Sequence, residues 1–144
     1  MEIPKLGKSI TDKDMHYSVG ALIKRDDKFL LIDRIKPPFG FAGIAGHVNE
    51  GETKEQALIR EVKEESGLEV EKFILIIEEE VDWNRCSKGI KIHYWYVFEC
   101  QTSGEIKRNP FETKSIGWYG KDEIKRMNLE PIWEYWFKKL KIIP

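Results

Sequence analysis

The chain is predicted to adopt an α/β fold, with a β-sheet covered on both faces, on three observations. A glycine-containing turn, Ile44-Ala45-Gly46-His47, runs into a short helix with stop signals at both ends. Apolar, β-branched runs separated by turn residues flank that helix. The segment after Pro131 then carries Ile132, Trp136 and Leu140 at helical spacing, with Trp133 and Phe137 alongside. A chain of 144 residues suits one domain with a real core. We read residues 1–15 as an N-terminal arm of mixed, polar character broken by Pro4 and Gly7, and residues 16–144 as the domain.

In order along the domain, Tyr17 to Lys24 and Lys28 to Arg34 read as a hairpin-like pair of strands around Arg25-Asp26-Asp27. Lys36-Pro37-Pro38-Phe39-Gly40 is a loop by its prolines and glycine. The helix should open near Lys54, because Thr53 and Gln56 stand three apart in a capping-box pattern. It should stop at Ser66-Gly67, where glycine takes a left-handed backbone at little steric cost. Phe73 to Val81 reads as a strand with an acidic end, and Ile90 to Cys100 as its antiparallel partner, across the polar loop Asp82 to Gly89. In that partner Ile92, Tyr94, Tyr96 and Phe98 share one face and His93, Trp95, Val97 and Glu99 the other, so both faces are partly apolar. Gln101 to Glu112 reads as a loop, Ser115 to Tyr119 as a last strand, and Lys121-Asp122-Glu123 as a helix start.

Within the bounded helix, Glu61, Glu64 and Glu65 fall within an arc of roughly 100°, and Leu58, Ile59 and Val62 form the adjoining apolar side. The glutamates occupy the last two turns, where the helix dipole disfavours negative charge. Two readings follow from the residues alone: a solvated acidic face, or a site for a divalent cation. Oxygen ligands of this kind suit a hard metal such as Mg²⁺, with Mn²⁺ as a substitute.

Gly46, Glu52 and the run Arg60-Glu61-Val62-Lys63-Glu64-Glu65-Ser66-Gly67-Leu68 resemble the complete signature box of the Nudix hydrolases. The resemblance implies an α/β/α sandwich with a mixed β-sheet between the box helix and the C-terminal helix. It implies a Mg²⁺-dependent hydrolase cleaving a pyrophosphate bond in a nucleoside diphosphate linked to a further group, by water attack at phosphorus. A nucleoside triphosphate, ADP-ribose or a dinucleoside polyphosphate are the candidate types. Carried over by position, Glu61, Glu64 and Glu65 match metal-binding glutamates, with Glu61 and Glu65 as direct ligands; in some relatives the residue matching Glu61 also activates the attacking water. Glu52 and Arg60 match a pair that braces the loop against the helix, a task suited to a bidentate arginine. Many members carry Pro-Gly-Gly where this chain has Ile44-Ala45-Gly46, so the backbone carbonyl that joins the metal shell would come from Ala45.

Outside the box, family members often place a further metal-binding or base glutamate in the loop where Glu112 stands, the alternative being a solvated loop residue. Glu79, Glu80 and Glu99 are weaker candidates. His47 adjoins the turn and is a candidate to contact phosphate, against the more common structural role of a lone histidine. Phe39 and Trp83, with Trp95 and Tyr119, are candidates to stack on a nucleobase, against the ordinary core role of aromatics. Arg34, Arg85 and Lys88 are candidates to grip phosphates, against the ordinary role of exposed bases.

With 24 basic and 25 acidic residues the net charge is −1, which gives no bulk attraction to nucleic acid or membrane. Two cysteines, no apolar signal core and no membrane-length apolar run lead to the expectation of a cytoplasmic protein with free thiols. The expected partner is a small nucleotide diphosphate derivative. Dimerisation is common in the family, so a homodimer is among the states the resemblance allows. Two rivals remain at this point: a non-catalytic nucleotide-sensing module, which usually shows an eroded box, and an isoprenoid diphosphate isomerase, suggested by Ala45-Gly46-His47 and requiring a cysteine at the site.

Overall fold

The computed structural model describes residues 2–84, 86 and 88–144. Its organising strand is β2 (Asp14–Arg25). One edge of β2 pairs in parallel with β7 (Ile92–Ser103), from Met15 opposite Ile92 to Ile23 opposite Cys100. The other edge pairs antiparallel first with β1 (Leu6–Lys8) and then with β5 (Ile44–His47). Outside β7 lies β6 (Glu69–Val81), antiparallel to it. The hairpin read between the second and third strands is formed only at its base, through Lys24 opposite Phe29 and Arg25 opposite Lys28. Beyond that point the same edge of β3 (Lys28–Arg34) pairs with β4 (Phe41–Ala42), while β8 (Thr113–Gly120) runs antiparallel along its other edge from Lys28 to Arg34. The sheet is therefore mixed, with the order β4-β3-β2-β7-β6 along its main path.

Among the described residues the helices are α1 (Lys54–Ser66), α2 (Lys121–Ile124) and α3 (Pro131–Lys139). The side-chain alternation of strands assigns α1 and α3 to opposite faces of the sheet. Trp133 of α3 lies against Gly20, and Trp136 meets Trp95 edge-on at 5.8 Å, both on the face shared by Ser18 and Gly20. Lys54, at the start of α1, lies 5.4 Å over the ring of Tyr96, which points to the other face. Gly43 is glycine because of this packing, since a Cβ there would stand 2.5 Å from the Trp133 ring. Trp133, Trp136 and Phe137 are fully buried, as the helical spacing after Pro131 predicts.

The local signals around α1 are realised. Thr53 accepts from the Gln56 amide, Gln56 accepts from the Thr53 amide, and Gly67 closes the helix in the left-handed region at φ 78°. One expectation for its apolar side is corrected. Ala57, Leu58 and Val62 are buried but Ile59 is 43% exposed, because it lies about 100° from Leu58. Glu65, nearly in line with Leu58 and Val62, takes the buried side instead.

Strand limits also differ from the sequence reading. β6 starts at Glu69 rather than Phe73, and β7 runs on through Ser103 instead of yielding to a loop at Gln101, because these residues pair with each other. β7 begins at Ile92 rather than Ile90, since Ile90 is held in a turn in which its carbonyl accepts from the Cys86 amide. Residues 2–15 are paired with the body. Besides β1, the Lys5 amide donates to Val48 and the Glu50 amide to Ile3.

Candidate active site

A cavity of about 310 Å³ opens where β5 meets α1, over the sheet face that carries Ser18, His93 and Trp95. Glu61, Glu64 and Glu65 line it, as do Arg34, Lys36, Glu112 and Glu130, and Ala45, Gly46, His47, His93, Trp95 and Cys86 supply the rest together with neighbouring residues. The glutamates reach it past Gly46. A Cβ at that position would stand 2.1 Å from the Glu61 carboxyl carbon, so the glycine is needed for a close approach and not for an unusual backbone. We predict that Gly46→Ala displaces the Glu61 carboxylate and lowers turnover by about 10- to 100-fold, while melting temperature changes little. Steady-state kinetics and a melting curve on one preparation check both parts.

Arg60 organises the lining. Its Nε and Nη2 donate to the two Glu52 oxygens at 2.7 and 3.0 Å, Nη1 donates to Glu61 Oε1 at 2.6 Å, and Nη2 donates to the His47 carbonyl at 2.9 Å. Glu52 also accepts from the Asn49 amide at 3.0 Å, which fixes the loop before the helix. The hydrogen bond from Arg60 is the main cause holding the Glu52 carboxyl below its ordinary range. Glu2, from the N-terminal arm, approaches the same guanidinium at 3.5 Å. Sequence reasoning gave no signal for that contact, which joins positions distant along the chain.

Burial dominates the Glu61 and Glu65 carboxyls. Glu61 is pushed up to about 7 by loss of water, with Arg60 opposing. Glu65 is raised well above the carboxylate range, by burial first and then by the charge of Glu61, against the pull of Arg34 and of the Ala45 backbone. Its Oε2 is buried without a hydrogen-bond partner among the described residues. An ionisable oxygen left unpaired in this way is costly unless a cation or proton meets it. An all-oxygen donor set offered by Glu61, Glu64 and Glu65 therefore fits a hard divalent ion.

Glu112 lines the cavity; its charge raises Glu65, and it stands 3.9 Å from Lys36. Arg34 is held by donation from Nε to the Pro38 carbonyl at 2.8 Å and by an ion pair with Glu130 at 3.3 Å. Phe39 and Trp83 are not brought to the cavity wall. Phe39 is 56% exposed beneath Lys114, and Trp83 packs edge-on against Tyr135 at 5.4 Å. Arg85 lies outside the described residues. Tyr119 packs edge-on against Phe41. Of the weaker acidic candidates, Glu79 is engaged by Tyr135 and Lys139, Glu80 accepts from the Ile10 amide, and Glu99 is exposed on β7; none lines the cavity.

His47 lines the cavity within a group that the sequence did not disclose. His16, His93 and Cys86 surround it, and their ligand atoms all lie within 4.8 Å of one another. Burial is the first cause that lowers all three imidazoles, taking His47 and His93 to about 4. Neighbouring histidines and Lys88 add to the effect on His47, while the backbone at Asn84 and Lys91 opposes it at His93.

Glu130 is a second residue that sequence reasoning passed over. It sits just before α3, is 5% exposed, and is pushed by burial from 4.5 to about 7, with Arg34 only partly opposing. The folded chain thus holds a proton that the unfolded chain has already released between those two values. The resulting stabilisation is full below the unfolded pKa and is lost as pH rises through about 7. We expect urea unfolding at pH 5 and pH 8 to show a loss of stability, and Glu130→Gln to reduce that loss by up to roughly 3 kcal/mol.

Comparison with known proteins agrees with this architecture. A segment of 53 residues is 49% identical to an ADP-ribose pyrophosphatase of Methanocaldococcus jannaschii, covering 35% of this chain and 31% of that protein. A longer match, 32% identical over 103 residues, links 71% of the chain to 38% of the NAD-capped RNA hydrolase NudC of Salmonella agona. These matches span about a third of the length of each relative. Among solved structures, a MutT NUDIX hydrolase from Burkholderia pseudomallei superposes with a TM-score of 0.77 at 24% identity, over 89% of this chain and 99% of the other. A NUDIX hydrolase from Nitrosomonas europaea gives 0.70 at 25% identity, over 87% of each. The family model described as the NUDIX domain matches residues 14–140, and the chain belongs to the Nudix family.

Proposed function

We propose that the chain is a Mg²⁺-dependent Nudix pyrophosphohydrolase that cleaves the pyrophosphate bond of a nucleoside diphosphate derivative. The observation that carries this reading is the buried, unpartnered Oε2 of Glu65 beside Glu61, on the wall of a cavity that also presents Arg34 and Lys36. Glu61 and Glu65 would hold the ion, with Glu64, Glu112 and the Ala45 carbonyl completing its surroundings. When bound, the ion supplies charge neutralisation for the phosphates and acidity for a water. Arg34 and Lys36 bind phosphate oxygens, and the bonds of Arg34 to Pro38 and Glu130 hold its side chain for this. Glu61, with Oε1 tied to Arg60, accepts the proton of the attacking water on Oε2. The water oxygen bonds to phosphorus as the bridging P–O bond breaks, and the bridging oxygen leaves on the departing phosphate. The protein's part is positioning and field rather than covalent chemistry.

Among substrate types, ADP-ribose takes first place because the Methanocaldococcus jannaschii relative is named an ADP-ribose pyrophosphatase. Nucleoside triphosphates and dinucleoside polyphosphates follow. Cys86 on the cavity wall favours a second reading, an isoprenoid diphosphate isomerase. One screen separates these readings: ADP-ribose, dinucleoside polyphosphates, non-standard nucleoside triphosphates and isopentenyl diphosphate, each with Mg²⁺. Release of a nucleoside monophosphate with ¹⁸O from water is expected. Formation of an isoprenoid isomer without phosphate release supports the second reading, and tight binding without product supports a sensing module.

No helix among the described residues is long and apolar enough to cross a membrane.

A further inference from the structure

We propose that His16, His47, Cys86 and His93 form a second metal site, of nitrogen and sulfur donors, that takes a transition-metal ion of the Zn²⁺ class. It opens on the same cavity as the glutamates but differs from them in donor chemistry.

The sheet topology assembles it. His16 and His93 are direct partners across the parallel β2–β7 pair, and His47 stands on β5, opposite Ser18 on the other edge of β2. By strand alternation all three side chains fall on one face. Their ring centroids lie 4.9, 5.7 and 6.0 Å apart. Cys86 comes from the loop after β6, where its amide donates to the Ile90 carbonyl and its carbonyl accepts from the Gly89 amide, both at 3.0 Å. Its Sγ is 3.8 Å from His16 Nδ1.

The four donors have nearly the spacing an ion requires. A tetrahedral ion with metal–nitrogen bonds of about 2.0–2.1 Å and a metal–sulfur bond of about 2.3 Å sets its donors roughly 3.4–3.6 Å apart. The Cys86–His16 separation is already close to that edge, and the largest separation, within 4.8 Å, needs about 1 Å of side-chain adjustment. Burial supplies an independent reason to expect a ligand. His93 is 1% exposed; the backbone at Asn84 and Lys91 approaches its ring, but neither ring nitrogen completes a well-formed hydrogen bond among the described residues. A polar atom left unsatisfied in this way is costly, and coordination removes the deficit.

Imidazole and thiolate donors select a borderline metal such as Zn²⁺ or Co²⁺ over Mg²⁺. Four protein donors fill a tetrahedral shell, which fits an organising role. The ion would pin the loop bearing Cys86 to three strands. It would also fix His47, whose carbonyl accepts from the Arg60 that orients Glu61.

The test uses the full chain, stripped with chelator and then titrated with Co²⁺ and Zn²⁺ in excess Mg²⁺, so that oxygen-donor sites are filled. We expect one equivalent of Co²⁺ to give intense tetrahedral visible bands and a thiolate-to-metal charge-transfer band, both displaced by Zn²⁺. Cys86→Ser, a change at a half-exposed loop position, should abolish the charge-transfer band and weaken Zn²⁺ binding at least tenfold. His47→Gln should weaken binding while leaving the charge-transfer band in the residual complex. Zn²⁺ should raise the melting temperature of the parent chain more than that of Cys86→Ser. Absence of a charge-transfer band, or equal Zn²⁺ affinity in parent and Cys86→Ser, would overturn the proposal, and neither readout depends on catalysis.

Discussion

Glu65→Gln is expected to lower kcat by about 10³-fold or more, equivalent to roughly 4 kcal/mol of transition-state stabilisation, and Glu61→Gln to do the same. Glutamine keeps the shape of glutamate and loses the charge that would hold a divalent ion. Retention of the fold can be read in the same experiment, because the two properties should move in opposite directions. The Glu65 carboxyl is buried and strongly favours its protonated form. The neutral amide should therefore raise the melting temperature in metal-free buffer at pH 8, while abolishing the additional stabilisation that Mg²⁺ gives the parent. Undiminished turnover in both variants would sink the assignment of these residues to a metal.

Arg60→Ala is expected to cost about 3–5 kcal/mol of folding stability, measured by chemical denaturation, besides most of the activity. The substitution leaves Glu52 and Glu61, with side chains 15% and 14% exposed, without their cation, and it removes the donor to the His47 carbonyl. Removing one partner of a largely buried pair is costly for this reason. Arg60→Lys should recover part of the stability, since a single ammonium replaces the charge but cannot serve Glu52, Glu61 and His47 with fixed geometry. A loss under about 1 kcal/mol for the alanine variant would show that the network behaves like an exposed surface pair.

The parts of this architecture that the sequence discloses are those whose causes are local. Thr53, Gln56 and Gly67 bound α1 through contacts within a few residues, and the spacing of Glu61, Glu64 and Glu65 fixes which face they share. The limits of β3 and the start of α3 at Pro131 are legible on the same grounds. What stays hidden depends on register between distant segments. No periodicity places His16 opposite His93, because that pairing is set by a parallel match between two strands far apart in the chain. Glu130 reads as an ordinary residue before a helix until the fold closes over it. Phe39 and Trp83 stand in loops adjoining the site by sequence, yet Trp83 turns to Tyr135 and Phe39 to Lys114, and composition cannot report that choice.

The position of β2 has a kinetic consequence. This strand has one edge completed by β1 and β5, close to it in sequence, while its other edge waits for β7, far downstream of it. Closing so long a loop costs entropy before any of its contacts repay it, so folding should be slow for a chain of this size. During translation the half-finished strand presents an open row of amides and carbonyls, a surface that invites pairing with other chains until residues 92–103 leave the ribosome.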